Sequence, residues 1–139
     1  MVRLVVAVAI VAIAAVVASI VRRRRSTDPP TQGGFELPVQ LDRNDFDRPE
    51  SPWLVAVFTS STCGSCTDVV SKAVVLSAAD VAVIEVAFQQ RPDLHARYAV
   101  EAVPALVVAD ADGVVRAGFL GPVTATDLWA AVAAARAEF

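Results

Sequence analysis

The sequence predicts an α/β fold, a central mixed sheet with helices on both faces, preceded by one N-terminal transmembrane helix. Three observations carry this. Nearly all-apolar runs such as Trp53–Thr59 and Val81–Phe88 read as strands covered on both sides. Segments with helical spacing separate these runs, and such βαβ units imply a parallel centre. At the other extreme, the stretch from Leu4 to Val21 carries no charge at all.

The chain has 139 residues, 55% hydrophobic and 19% charged, and its mean hydropathy is +0.54. Apolar content this high excludes general disorder. Two cysteines exclude a disulfide-dense scaffold. The net charge of −3 hides a split: residues 1–25 hold five arginines and no acid, and the rest holds 7 basic and 15 acidic residues. Nucleic-acid binding needs clustered cations, so so acidic a domain is read as having no nucleic-acid partner.

At about 1.5 Å per residue, a helix over residues 4–21 spans roughly 27 Å, close to a bilayer core. Arg22 to Arg25 follow at once and end it. A cleaved signal peptide would have a shorter apolar run and no stronger positive cluster behind it, so an uncleaved anchor is favoured. The positive-inside rule then leaves a short N-terminus outside and the acidic domain on the cytoplasmic side, with the extracytoplasmic face as the alternative. Residues 1–25 are thus expected as the anchor with its Arg flank, 26–35 as a Pro/Gly linker, and 36–139 as the folded domain.

Within that domain, Leu37 to Leu41 reads as a short first strand. Asp42 to Phe46 reads as a turn and short helix start, with Asp42 or Asn44 as its cap. After the Pro49–Pro52 break comes the Trp53–Thr59 strand, then a polar loop, Ser60 to Thr62. Cys63 to about Ala78 reads as a helix whose apolar stripe is Val69, Val70, Ala73, Val74 and Leu76. Val81–Phe88 is a second buried strand, and Pro92–Tyr98 a short helix with proline in its first turn. Ala105–Ala109 and Val114–Phe119 form two strands joined by a hairpin turn, Asp110 to Gly113. Thr124 or Thr126 caps a last helix through Leu128, Trp129 and Val132.

Cys63-Gly64-Ser65-Cys66 is the one chemically loaded motif, and it falls where a buried strand gives way to a helix. A helix N-terminus favours a thiolate at Cys63. A spacing of three places Cys66 one turn on, near enough for an S–S bond. The chemistry expected is thiol–disulfide exchange, with Cys63 as nucleophile and Cys66 as the thiol that resolves the mixed disulfide. Other readings stand beside it. Zinc wants about four ligands, against two cysteines and His95 here. So short a loop makes a weak structural staple, and two inert buried thiols are a further alternative. No cofactor beyond the redox-active cysteine pair is expected.

With a second landmark, Tyr98 to Leu106 (YAVEAVPAL), the region from about Leu37 to the C-terminus resembles the thioredoxin family. The resemblance implies the thioredoxin-like fold, with Pro104 as a cis-proline opposing the active-site disulfide. It implies that the backbone of Val103 pairs with a substrate strand. It also sets Gly118 and Gly121, after the last strand, near the active-site rim. Departures accompany the likeness. Thr62 precedes the first cysteine where thioredoxins carry Trp, and Gly64-Ser65 stands where Gly-Pro is usual. Val57 takes the place of the buried Asp, and Glu85 that of the nearby Lys. Glu85 is therefore a candidate proton acceptor, or else simply solvated. These changes favour a specialised family member.

The remaining polar landmarks are read as structural: His95 as a surface histidine, Trp53 and Trp129 as packing residues, and Asp42, Asp45, Asp47 and Glu50 as a solvated acidic face. The sequence thus predicts a membrane-anchored thiol–disulfide oxidoreductase. Its partners would be protein disulfides or dithiols, an upstream thiol reductant, and the lipid bilayer through residues 4–21. Two alternatives stand: a non-catalytic interaction module or accessory subunit of a membrane complex, and an extracytoplasmic thiol–disulfide relay.

Overall fold

The computed structural model describes residue 1, residues 10–16 and residues 36–138. Contacts divide the chain into two units, Met1–Gly34 and Phe35–Phe139. In the first, residues 10–16 are helical. The rest of the expected span over 4–21, the Arg flank and the whole of the linker lie outside the described residues. Among the described residues, no helix is long and apolar enough to cross a membrane.

The second unit holds a four-stranded sheet. Its strands are β1 (Trp53–Thr59), β2 (Val81–Ala87), β3 (Ala105–Ala109) and β4 (Val115–Leu120), in the order β2-β1-β3-β4. β1 runs parallel to β2 and antiparallel to β3, and β3 and β4 form an antiparallel hairpin. All seven residues of β1 are buried, which is why this run lacks polar alternation. The helices are α1 (Cys66–Val74), α2 (Pro92–Arg97) and α3 (Ala125–Ala137).

Strand alternation sorts the core into two layers. Val55 and Val57 of β1 and Leu106 and Val108 of β3 face Val69 of α1 and Leu128 and Val132 of α3. Leu54, Ala56 and Phe58 point the other way, with Val107, onto Leu94 of α2 and onto Leu41 and Phe46. Helices therefore cover both faces, as the alternation of elements predicts. Fully burying one such Val, Leu or Phe contributes about 1.5–3 kcal/mol, so these layers supply most of the driving force.

Several boundaries differ from the sequence expectation. The Leu37–Leu41 segment forms no full strand. It makes one isolated bridge, Gln40 to Val114, flanked by hydrogen bonds from Leu41 N–H to the Gly113 carbonyl (2.8 Å) and from Val115 N–H to that of Val39 (3.0 Å). Its polar turn follows at once: Asp42 caps a 3₁₀ turn, Arg43–Asp45, by accepting from Asn44 N–H. The hairpin turn is as expected. Gly113 has φ +79°, and a Cβ there would sit 1.9 Å from the Leu41 carbonyl oxygen, so only glycine fits. β4 begins one residue later than expected, and Gly118 lies within it, paired with Val107.

α1 ends at Val74, beyond which the chain tightens into 3₁₀-type turns, Leu76 N–H to Ala73 and Ser77 N–H to Val74. Val74, the last helical residue, points to solvent at 55% exposure and leaves the predicted stripe, while Val70 and Leu76 still pack on the core. Thr124, not Thr126, caps α3 by accepting from Asp127 N–H. Trp53 is buried, but Trp129 is 43% exposed, its indole N–H donating to the Lys72 carbonyl.

The histidine expectation is also corrected. His95 is only 4% exposed. It stands edge-on to Phe58 and Phe88, with Nε2 2.8 Å from the Val86 carbonyl, an acceptor that requires the proton on Nε2. The acidic face is not wholly solvated either. Arg97 pairs with Asp42 and Asp45, and the Tyr98 hydroxyl donates to Asp45. Burial first, then this hydrogen bond, pushes the Tyr98 hydroxyl up to about 12.

Candidate active site

β1 delivers the chain to the site. Past Thr59 it turns through Ser60, with Cys63 N–H returning to the Ser60 carbonyl at 3.1 Å, and enters α1 at Cys66. Cys63 therefore lies in the turn before the helix, not on its first residue as the sequence reading has it. Ser65 takes the N-cap position, and Gly64 and Ser65 complete the turn between the cysteines. Cys63 and Cys66 are joined by a disulfide with Cα atoms 5.5 Å apart. This bond brings the Cys63 sulfur to the helix N-terminus after all.

The two sulfurs are not equivalent. Cys66, the first residue of α1, is 4% exposed, whereas Cys63 is half-buried beside exposed Thr62 and Gly64. A reagent from solvent meets Cys63 first.

Both cysteines open into a cavity of about 300 Å³ that Glu85 and Thr59 also line. Glu85 pairs with Val57 across β1 and β2, so it stands on the face that α1 covers. Its Oε1 accepts from Thr59 Oγ1 at 2.7 Å, and the residue is otherwise solvent-exposed. Val57 itself is buried in the apolar layer, and among the described residues the cavity contains no second carboxylate. A larger cavity of about 520 Å³ lies at Asp42, Arg97 and Tyr98, and neither cysteine reaches it.

The Val103–Pro104 peptide bond is cis. The register pairs Phe58 with Ala105, so Pro104 stands at the end of β1 from which the cysteine loop leaves. Gly121, at φ +87°, donates its N–H to the Pro104 carbonyl at 2.8 Å and so secures that end of the hairpin. Pro104 is buried and Val103 half-buried. Among the described residues, neither the N–H nor the carbonyl of Val103 enters a backbone hydrogen bond.

Thr62, Cys63, Cys66, Glu85, Val103, Pro104 and Gly121 thus gather at one end of the sheet. Sequence reasoning missed three polar neighbours, Thr59, Ser60 and Gln89. Gln89 follows the β2 run directly, and its position at the same strand end as the cysteine loop was the available signal.

The Thioredoxin family model matches residues 40–134. Among curated protein sequences none matches this chain. Solved structures share its fold. A mutant thioredoxin from Halobacterium salinarum is 23% identical over 73% of this chain and 95% of its own, with a TM-score of 0.56. The oxidised thioredoxin O2 of Arabidopsis thaliana is 23% identical over 67% and 88%, TM-score 0.55. The thioredoxin of Fasciola hepatica is 26% identical over 60% and 81%, TM-score 0.53. The matched family model spans the sheet, both cysteines, the cis-proline and most of α3, and the chain belongs to the thioredoxin family.

Proposed function

We propose that this protein is a membrane-anchored thiol–disulfide oxidoreductase that reduces disulfides in partner proteins. The observation that carries the reading is the asymmetric Cys63–Cys66 pair at the start of α1, one sulfur reachable and the other enclosed. In the reduced state, Cys63 thiolate attacks a partner disulfide. A bond forms between Cys63 Sγ and one partner sulfur, and the other partner sulfur leaves as a thiolate and takes a proton. Cys66 then gives up its proton to Glu85 across the shared cavity and attacks Cys63 Sγ. The Cys63–Cys66 bond forms, and the second partner sulfur leaves. Two electrons pass to the partner, and an upstream thiol reductant restores the dithiol.

The unpaired backbone of Val103 supports a role in holding the partner as an added strand. Gly121, bonded to the Pro104 carbonyl, and Thr62, before the first cysteine, would form the rim of that contact. The uncharged run over residues 4–21 supports an anchor in the bilayer, with residues 26–35 as linker and the Arg flank favouring a cytoplasmic domain. A reducing compartment would then keep the pair as dithiol and make the protein a reductase.

The test is disulfide reduction by the purified full chain against Cys63→Ser with a supplied thiol reductant. Turnover by the unaltered chain and none by the variant is expected. Equal, background-level rates would overturn the reading. Labelling Cys63 in intact cells with a membrane-impermeant thiol reagent tests the topology: no labelling until the membrane is opened is expected, and labelling of intact cells would place the domain outside.

A further inference from the structure

Gln89 stands on the turn after β2, where Gln90 and Arg91 N–H groups both return to the Ala87 carbonyl at 3.0 and 2.9 Å. Its side chain crosses to the loop that carries Cys63. There Oε1 accepts from Ser61 N–H at 3.1 Å and Nε2 donates to Ser60 Oγ at 3.2 Å. A backbone N–H can only donate, which fixes the end of the amide that faces Ser61. The loop's other hydrogen bonds are its own, such as Ser60 Oγ with Thr62 Oγ1 at 3.2 Å, apart from the Ser65 carbonyl, which accepts the first-turn N–H of Val69 in α1. Among the described residues, no other side chain from outside residues 60–65 hydrogen-bonds to this segment.

We propose that Gln89 is a positioning residue that sets the balance between the Cys63–Cys66 disulfide and the dithiol. This rests on reading the pair as redox-active. The disulfide and the Gln89 clamp restrict the same short loop. Once one constraint is in place, the other costs less conformational entropy. Linkage is reciprocal, so the clamp favours the closed disulfide by the factor with which the disulfide favours the clamp. Removing the clamp therefore shifts the pair towards dithiol.

The experiment equilibrates the full chain with mixtures of reduced and oxidised dithiothreitol. In the exchange, dithiothreitol gives two electrons and two protons to the protein disulfide and closes its own ring. The reaction is quenched with acid, the thiols are alkylated and the two forms are counted by mass. The unaltered chain is compared with Gln89→Ala, Ser60→Ala and the double variant. Losing two net hydrogen bonds of ordinary strength on an exposed loop should shift Gln89→Ala towards dithiol by about three- to tenfold. For this two-electron couple that is about 14–30 mV. Ser60→Ala removes one of the two Gln89 contacts together with the loop's own Ser60–Thr62 bonds, so its shift should be smaller in the Gln89→Ala background, where the shared contact is already gone, than in the unaltered chain.

A Gln89→Ala equilibrium within about 1.5-fold of the unaltered chain would overturn the proposal, because a residue that merely holds the fold stabilises both redox forms alike. So would additive shifts in the double variant. If dithiothreitol cannot open the pair in the unaltered folded chain, the oxidoreductase reading itself fails and the clamp with it. If the unaltered pair cycles and the variants match it, the clamp alone fails.

Discussion

Asp110 offers a sharp test of the physical account of the hairpin. Its Oδ2 receives Arg116 Nη2 at 2.6 Å and Nε at 2.8 Å, and its Oδ1 receives the N–H groups of Asp112 and Val114, both at 3.0 Å. Asp110→Asn can keep the Oδ1 contacts, but its new amide hydrogens face a guanidinium that only donates. Two hydrogen bonds to a charged partner would contribute about 3–6 kcal/mol if fully buried. The Arg116 side chain is 34% exposed, however, and solvent screens it. We therefore expect Asp110→Asn to lose about 2 kcal/mol. Asp110→Ala also orphans two backbone N–H groups and should lose about 3 kcal/mol.

The pH dependence follows from the same geometry. Burial alone would raise the Asp110 carboxyl, but Arg116 and the two N–H groups outweigh it and hold the group below its ordinary 3.8. A carboxyl lowered in the folded state contributes fully above the unfolded value, and the contribution is lost as pH falls through the folded value. The stability gap to Asp110→Asn should therefore be constant from about pH 7 to 5 and shrink below about pH 4. Urea unfolding of the full chain, followed by circular dichroism at a series of pH values, measures both effects. A loss under about 0.5 kcal/mol for Asp110→Ala would refute the reasoning, as would a gap unchanged at low pH.

Three further outcomes are expected. Glu85→Gln should slow release of the partner from the mixed disulfide by about tenfold or more, with alkylation of reduced Cys63 unchanged, as followed in a quenched single-turnover assay. Gly113→Ala should cost at least about 2 kcal/mol in urea unfolding, since it adds a left-handed side chain and displaces the Leu41 carbonyl. Cys66→Ser should accumulate mixed disulfides with partner proteins, visible on non-reducing gels and absent for Cys63→Ser.

How much of this was legible beforehand depended on whether the information was local. β1 and β3 were readable because burial on both faces demands uninterrupted apolar runs, and the cis bond at Pro104 because Val-Pro stood at the matching place in a resembled family. The start of α1 was placed too early: Gly64 and Ser65 disfavour a helix interior and suit a turn and its N-cap, and the return of Cys63 N–H to Ser60 shows that turn. The burial of His95 was hidden for a different reason. It depends on how the short helix α2 docks against Phe58 and Phe88, which no spacing encodes. Leu37–Leu41 alternates like a strand, yet it has only the start of β4 to pair with, and a single bridge forms. The Gln89 contacts join residues 28 and 29 positions apart and leave no periodic trace.

The unequal shelter of the two sulfurs has a consequence under oxidative stress. If the pair is reduced as proposed, peroxide from solvent would meet the Cys63 sulfur first and convert it to a sulfenic acid. Cys66, enclosed one step away, then displaces water and closes the ring, so the damage stops at a species that thiols can undo. Over-oxidation to sulfinic or sulfonic acid requires a second peroxide to arrive before that closure. The burial of Cys66 thus preserves the very atom that rescues the other.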